Sequence, residues 1–218
     1  MSMFFPVYLN LKGKRVVVIG GGEVAERKVT SLTGTGASIT VISPEVTSHL
    51  ASLARANAIE LLRRPYSQGD CESAALVLSA TGDPATNRTV WEEGNRAGVL
   101  VNTADQPDLC DFIMPAVVRR ADLTVAISTG GISPALAARL RQKISGMLGP
   151  EYERLLDLLA AARPEIRRRV EAERDRKALH YRVLDSDILS LLEKDDIQGA
   201  ERRLKEIIEE FACQGRTS

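Results

Sequence analysis

Three short constellations in this 218-residue chain combine residue types that chemistry can use. The first is Gly20-Gly21-Gly22-Glu23-Val24-Ala25, which follows a β-branched apolar run and opens an amphipathic stretch. That is the setting a G-x-G-x-x-G/A turn between strand and helix requires. Gly20 allows the tight turn, Gly22 lets the backbone approach a pyrophosphate, and Ala25 lets the helix pack close to the strand. The helix start supplies unpaired N–H groups and a partial positive charge for phosphates. Gly20, Gly21, Gly22, Glu23 and Val24 are therefore expected to bind a dinucleotide; a plain glycine turn is the competing reading, and the strand–helix–strand context argues against it. An acidic residue about 20 positions after the glycines commonly holds the adenosine ribose. Ser43 and Pro44 stand there, with Glu45 next, so ribose contact falls to Ser43 or to Glu45, and Ser43 and Pro44 also read as N-cap and first turn of a helix. No arginine follows directly to take a 2′-phosphate, which favours NAD over NADP.

The second constellation, residues 101–107, sits past the carboxyl end of a predicted strand, where α/β sheets place their ligand crevice. Asp105 there can serve as a general base or touch a metal ion, although an Asp before Gln-Pro is also a common turn residue. Asp108 and Asp111 follow. The third is Ser128-Thr129-Gly130-Gly131-Ile132-Ser133-Pro134, where a strand ends and a helix begins with Ser133 as N-cap. It is either a second anion site or a capped helix start without a ligand. Arg139 and Arg141, further along that helix, face a substrate or solvent.

The elements that must position these residues alternate. Residues 15–19 read as a buried strand, and residues 23–32 as a helix with Val24, Lys28, Val29 and Leu32 on its inner stripe. Strands are expected at 38–42, 59–62, 74–80 and 99–102, with a helix from Ser43 and another from about Pro84 to Ala97. This alternation predicts a parallel sheet with helices on both faces. Residues 112–118 and 123–128 read as two strands around a polar turn at 119–122, and 133–148 as a helix. From Pro150 onward the pattern is helical and amphipathic, with breaks near Pro164, Asp185 and Gly199. The expected fold class is α/β: a Rossmann-like parallel sheet over residues 1–112, a small α+β dimerisation segment over 113–149 and a helical C-terminal domain over 150–218.

Bulk composition removes several function classes. Lys plus Arg and Asp plus Glu both number 29, so no overall basic excess points to nucleic acid, although the last third is locally rich in arginine. That arginine- and glutamate-rich part reads most simply as a solvated face whose apolar stripe meets a domain or subunit partner. Cys71, Cys110 and Cys213 form neither metal-ligand spacing nor a disulfide framework, which suits a reducing cytoplasm. His49 and His180 are the only histidines, so a histidine-ligated haem or zinc site or a histidine triad is not expected. No leader peptide and no membrane span is expected.

Several of these segments together resemble one family. Residues 5–9 (FPVYL), 20–28 (GGGEVAERK), Ser79-Ala80-Thr81, Val101-Asn102 with Asp105, residues 112–115 (FIMP) and 127–134 (ISTGGISP) are similar to the precorrin-2 dehydrogenase / sirohydrochlorin ferrochelatase family, which supplies the first module of sirohaem synthases. The similarity spans about residues 3–150. It implies oxidation of precorrin-2 to sirohydrochlorin with NAD⁺ as hydride acceptor, followed in part of the family by Fe²⁺ insertion to give sirohaem. It implies a homodimer; composition adds the expectation of no nucleic-acid or membrane partner. It implies Thr81 among the cofactor-binding residues, Ser128, Thr129, Gly130 and Gly131 as substrate-binding, and Asp105 as general base and transient metal contact. A dehydrogenase without chelatase activity and a non-catalytic NAD-responsive module are the alternatives. With 218 residues, no attached methyltransferase module is expected.

Overall fold

A computed structural model describes residues 4–214. Residues 1–3 and 215–218, the outer ends of the first and third expected segments, lie outside the described residues. The chain divides into two compact units, Met1–Met114 and Pro115–Ser218.

The first unit contains β1 (Arg15–Ile19), α1 (Glu23–Leu32), β2 (Ser38–Ile42), α2 (Ser48–Arg55), β3 (Glu60–Leu62), β4 (Leu76–Ser79), α3 (Pro84–Ala97) and β5 (Leu100–Thr103). All five strands pair in parallel in the order β3-β2-β1-β4-β5. The order reverses at β1, so the crevice of an open α/β sheet falls at the carboxyl ends of β1 and β4. Period-two alternation distributes β1 between two cores. Val16 and Val18 join Ala25, Val29 and Leu32 of α1 and Leu50 of α2, while Val17 and Ile19 join Val90 of α3. The sheet is thus buried on both faces, as its apolar strands require.

A buried polar network fastens the connection from β3 to β4. Arg64 donates to both carboxylate oxygens of Asp70 at 2.7 and 2.6 Å. Glu93 of α3 accepts from the Cys71 N–H at 2.7 Å, from the Gly69 N–H at 3.1 Å and from the Tyr66 hydroxyl. The Arg64 hydrogen bond holds the Asp70 carboxyl below its ordinary value. Burial pushes the Glu93 carboxyl up, but the bonds from Tyr66, Cys71 and Gly69 outweigh burial and hold it low. The same burial pushes the Cys71 thiol up to about 12.

The second unit opens with an antiparallel hairpin of β6 (Ala116–Arg120) and β7 (Leu123–Ile127), registered from Ala116↔Ile127 to Arg120↔Leu123. The expected strand from residue 112 is corrected: it starts at Ala116 and runs through Arg119 and Arg120. Phe112 instead packs against the first unit's core, and the turn shrinks to Ala121-Asp122, with Ala121 left-handed at φ 47°. Arg120 is held in the strand by its guanidinium, which donates to the carbonyls of Leu148 at 2.8 Å and Ser145 at 3.0 Å and so closes the end of α4 (Pro134–Met147). Helices α5 (Glu151–Arg169), α6 (Glu173–Leu184), α7 (Ile188–Glu193) and α8 (Ile197–Gln214) follow. Their core includes Leu155, Ile166, Leu179, Ile188, Ala200, Leu204, Ile207 and Ile208. The expected break at Pro164 is corrected, since α5 continues through it to Arg169. Leu158, Leu159, Ala162 and Ile166 bury on both sides of that proline, which offsets its missing hydrogen bond. The next interruption falls at Val170, and the last precedes α8, whose start Asp196 caps by accepting from the Gly199 N–H at 2.8 Å.

Asp70 and Glu93 both titrate below their unfolded values, so they stabilise the fold above about pH 4 and that contribution is lost as pH falls through their depressed values. Thermal unfolding of wild type against pH should show this acid loss, and Glu93→Ala should flatten part of it. The same variant should lower stability near neutrality by about 1–3 kcal/mol per orphaned buried partner in a denaturant titration.

Candidate functional site

The glycine turn is defined by what crowds it. Gly20 has φ 116°, and a side chain there would collide with the Ala80 carbonyl that follows β4. Its N–H donates to the Ile42 carbonyl of β2 at 2.9 Å. Gly21 is buried, and a Cβ there would collide with the Glu45 carbonyl oxygen. Gly22 is exposed, and a Cβ there would meet nothing within 4 Å. Two glycines are therefore required by protein backbone, and the third leaves open space in front of a helix start. No side chain caps Gly22 at the start of α1, whereas Thr47 caps α2 and Asp83 caps α3. An uncapped helix start behind an open glycine fits a pyrophosphate.

A cavity of about 350 Å³ gathers Gly20, Gly21, Gly22, Ser43, Pro44, Glu45 and Thr81. Glu23 and Val24 do not line it; Glu23 is exposed and Val24 half-buried in the first turn of α1. The expectation that Ser43 and Pro44 start a helix is corrected. Residues 43–46 pass across the glycine turn, where Gly21 accepts from the Thr47 N–H at 3.0 Å, so α2 starts only at Ser48 with Thr47 as its cap. Ser43 is buried and its hydroxyl donates to the Glu45 carbonyl at 2.6 Å. Thr81 is held by the buried Asn87, whose Oδ1 accepts from the Thr81 hydroxyl at 2.9 Å and from Ser79 at 2.7 Å.

Tyr66 and Pro65 also line this cavity and were not expected. Burial and the Glu93 contact hold the Tyr66 phenol well above its ordinary value, so the ring stays neutral. Its partner lies 27 residues away on α3, a distance over which no local spacing could have signalled the pair. Among the described residues, no Lys or Arg belongs to the lining.

Asp105 stands beyond β5, exposed, with a left-handed backbone at φ 56°. The strand end is pinned around it. The Ala104 N–H donates to the Ser79 carbonyl at 2.8 Å, and Asp111 accepts from the Val101 N–H at 2.8 Å. Asp111 is thereby structural, while Asp108 is exposed in a single 3₁₀ turn, Pro107–Leu109. The Cys110 thiol approaches the Thr103 carbonyl at 3.1 Å and receives the Thr103 N–H at 3.2 Å. The Thr103 hydroxyl is buried without a hydrogen-bond partner. Lys28 is half-buried rather than part of an apolar stripe, and its ammonium crosses from α1 to the Asn102 side chain at 2.5 Å. Burial lowers its affinity for the proton, against the opposing pull of Cys110 and Asp105.

Residues 128–131 belong to the second unit. Gly130 and Gly131 have φ 61° and 83°, and a Cβ on either would meet nothing within 4 Å. The Thr129 hydroxyl donates to the Ser133 carbonyl at 3.0 Å and accepts from the Ser133 N–H at 3.1 Å, and Ser133 caps α4 as expected. Arg139 and Arg141 are exposed. Among the described residues, no group of three or more His, Cys, Asp or Glu side chains could hold a metal ion.

Comparison with known proteins follows this division. An NAD(P)-binding family matches residues 7–116, the sirohaem biosynthesis protein central family residues 120–147, and the sirohaem synthase dimerisation region residues 151–208. The chain is 37% identical over 202 residues to siroheme synthase of Azotobacter vinelandii, covering 93% of this chain and 44% of that protein. It is 36% identical over 213 residues to siroheme synthase of Methylococcus capsulatus, covering 98% and 45%. It thus spans less than half the length of these relatives. Among solved structures, SirC, a precorrin-2 dehydrogenase, superposes with a TM-score of 0.77 at 27% identity, covering 93% of this chain and all of that one.

Gly21→Ala forces a methyl group onto the Glu45 carbonyl, so the turn and the 43–46 segment must separate. A fluorescence titration should show NADH affinity falling by roughly 100-fold or more, with the helical second unit still folded by circular dichroism.

Proposed function

The chain belongs to the family of NAD(P)-binding sirohaem-biosynthesis modules, and from that premise we propose that it oxidises precorrin-2 to sirohydrochlorin. One observation carries the reading. Gly20, Thr81 and Asp105 follow the carboxyl ends of β1, β4 and β5, three neighbouring strands of one parallel sheet. That edge joins a cradle for a dinucleotide to a carboxylate able to take a proton. The likeness to a precorrin-2 dehydrogenase over nearly the whole chain supports the substrate.

The proposed cofactor is NAD. Gly20, Gly21 and Gly22 with the N–H groups of Glu23 and Val24 would hold the pyrophosphate, and Ser43, Pro44, Glu45 and Thr81 the rest of the cradle. A cavity lining without Lys or Arg among the described residues favours NAD over a cofactor with a 2′-phosphate. The bound NAD⁺ would serve as the hydride acceptor. Asp105 takes the accompanying proton, so precorrin-2 loses two hydrogens as a hydride and a proton. Ser128, Thr129, Gly130 and Gly131 would receive substrate carboxylates. We extend the reading to Fe²⁺ insertion, with Asp105 as a transient contact to the metal substrate, since the macrocycle supplies the final ligands.

In this reading residues 1–112 are the cofactor domain, 113–149 the dimerisation segment and 150–218 a helical C-terminal domain of a homodimer; the dimerisation-region match, over residues 151–208, supports the dimer and draws the helical domain into its interface. Among the described residues no helix is long and apolar enough to cross a membrane. The proposed location is the cytoplasm, where Cys71, Cys110 and Cys213 would stay reduced.

Precorrin-2 and NAD⁺ should yield NADH with wild-type protein. Asp105→Ala should keep its NADH affinity while turnover falls by about 10²–10⁴-fold, and retained turnover removes Asp105 from the chemistry. In anaerobic incubation of sirohydrochlorin with Fe²⁺, sirohaem absorbance should rise faster than in a protein-free control; equal rates leave a dehydrogenase alone.

A further inference from the structure

We propose that the ammonium of Lys28 is an anion anchor beside Asp105 that seats one carboxylate of the substrate. The proposal rests on the reading of an acidic tetrapyrrole as substrate, and it concerns a residue that none of the motif arguments assigned a role.

Lys28 starts on α1 and its ammonium reaches Asn102 of β5, the edge strand of the sheet. Its ammonium donates to the Asn102 Oδ1 at 2.5 Å and lies 3.7 Å from the Met114 sulfur, a weak acceptor. Asn102 cannot swing away, because its own amide donates to the Phe112 carbonyl at 2.9 Å. An ammonium has three N–H donors, so one is engaged by a neutral amide, one leans on a thioether and one remains. No ion pair joins Lys28 to a carboxylate among the described residues. A half-buried cation without a counter-ion is costly, and chains place one where an anion will complete it or bear the cost in stability.

The location decides what that anion is. Asp105 and Cys110 are near enough to act on the ammonium electrostatically, and Arg27 acts on it from the same helix. Asp105 is exposed and does not close onto Lys28 as an ion pair. The glycine cavity that suits the dinucleotide does not include Lys28. A second anion would complete the ammonium's partners, close to the proposed base and separate from the pyrophosphate. A tetrapyrrole fringed with acetate and propionate groups has such carboxylates, and one seated on Lys28 would orient the ring for proton loss to Asp105.

The experiment uses the full chain with Lys28→Gln and Lys28→Arg. Glutamine removes the charge and retains a donor group on a chain one atom shorter; arginine keeps the charge. Sirohydrochlorin and NADH are titrated separately, and KM and kcat are measured with precorrin-2. Lys28→Gln should weaken sirohydrochlorin binding and raise KM roughly tenfold, with NADH affinity unchanged, and Lys28→Arg should recover most of the loss. Wild-type sirohydrochlorin binding should also fall more steeply with ionic strength than binding by Lys28→Gln. Equal sirohydrochlorin affinity in wild type and Lys28→Gln overturns the anchor. So does a parallel fall of NADH affinity, sirohydrochlorin affinity and melting temperature, which marks a mere tether between α1 and β5. A wild type that neither binds sirohydrochlorin nor forms NADH from precorrin-2 overturns the substrate reading itself.

Discussion

Three backbone segments meet at the glycine turn with no room for a methyl group between them. The Ala80 carbonyl presses on Gly20, and the Glu45 carbonyl presses on Gly21. This close approach joins the ends of β1, β2 and β4 into one crevice, and much else in the first unit follows from it. Because residues 43–46 run over the turn, α2 begins late and is capped by Thr47. The Thr47 hydroxyl in turn bonds the Glu26 carboxylate on α1, tying the helix behind the turn to the segment in front of it. Side-chain-free backbone contact brings these strand ends close together and leaves Gly22 open on the crevice side.

The loops around that crevice are held by buried polar groups as well as by apolar packing. Asn87 fixes Thr81, Glu93 fixes Tyr66 and the Gly69–Cys71 backbone, and Asp70 with Arg64 closes the same connection. Loops carry backbone N–H and carbonyl groups that a hydrocarbon core cannot satisfy, so placing them rigidly takes side chains that can bond. Asn87, Glu93 and Asp70 are all buried, and each has hydrogen-bonded oxygens. Such networks rigidify only when complete, which is why one truncation reaches several segments at once.

The Asp105 end of the sheet is arranged differently. The carboxylate is exposed on a left-handed residue, a conformation that Asp tolerates better than most side chains at a cost of about 1 kcal/mol. Around it lie groups with incomplete partners among the described residues: the Lys28 ammonium without an ion-paired carboxylate and the buried Thr103 hydroxyl without a hydrogen bond. They belong to opposite faces of the sheet, since Asn102, which holds Lys28, alternates with Thr103 along β5. Unsatisfied polarity beside a left-handed carboxylate contrasts with the closed networks of the cofactor cradle.

The sequence by itself determined the parallel order of elements, because apolar runs of β-branched residues alternating with amphipathic stretches admit few other solutions. It also determined the glycine turn, the Ser133 cap and the place of Asp105 at a strand end, all of which depend on residues adjacent in the chain. Tertiary structure alone decided the rest. The start of α2 depends on Gly21 meeting Glu45, the strand character of Arg119 and Arg120 on the end of α4, and the continuity of α5 through Pro164 on burial at either side. Tyr66 and Lys28 were illegible for the same reason. Their partners, Glu93 and Asn102, lie 27 and 74 residues away, and pairings over such separations leave no periodicity for a single sequence to display.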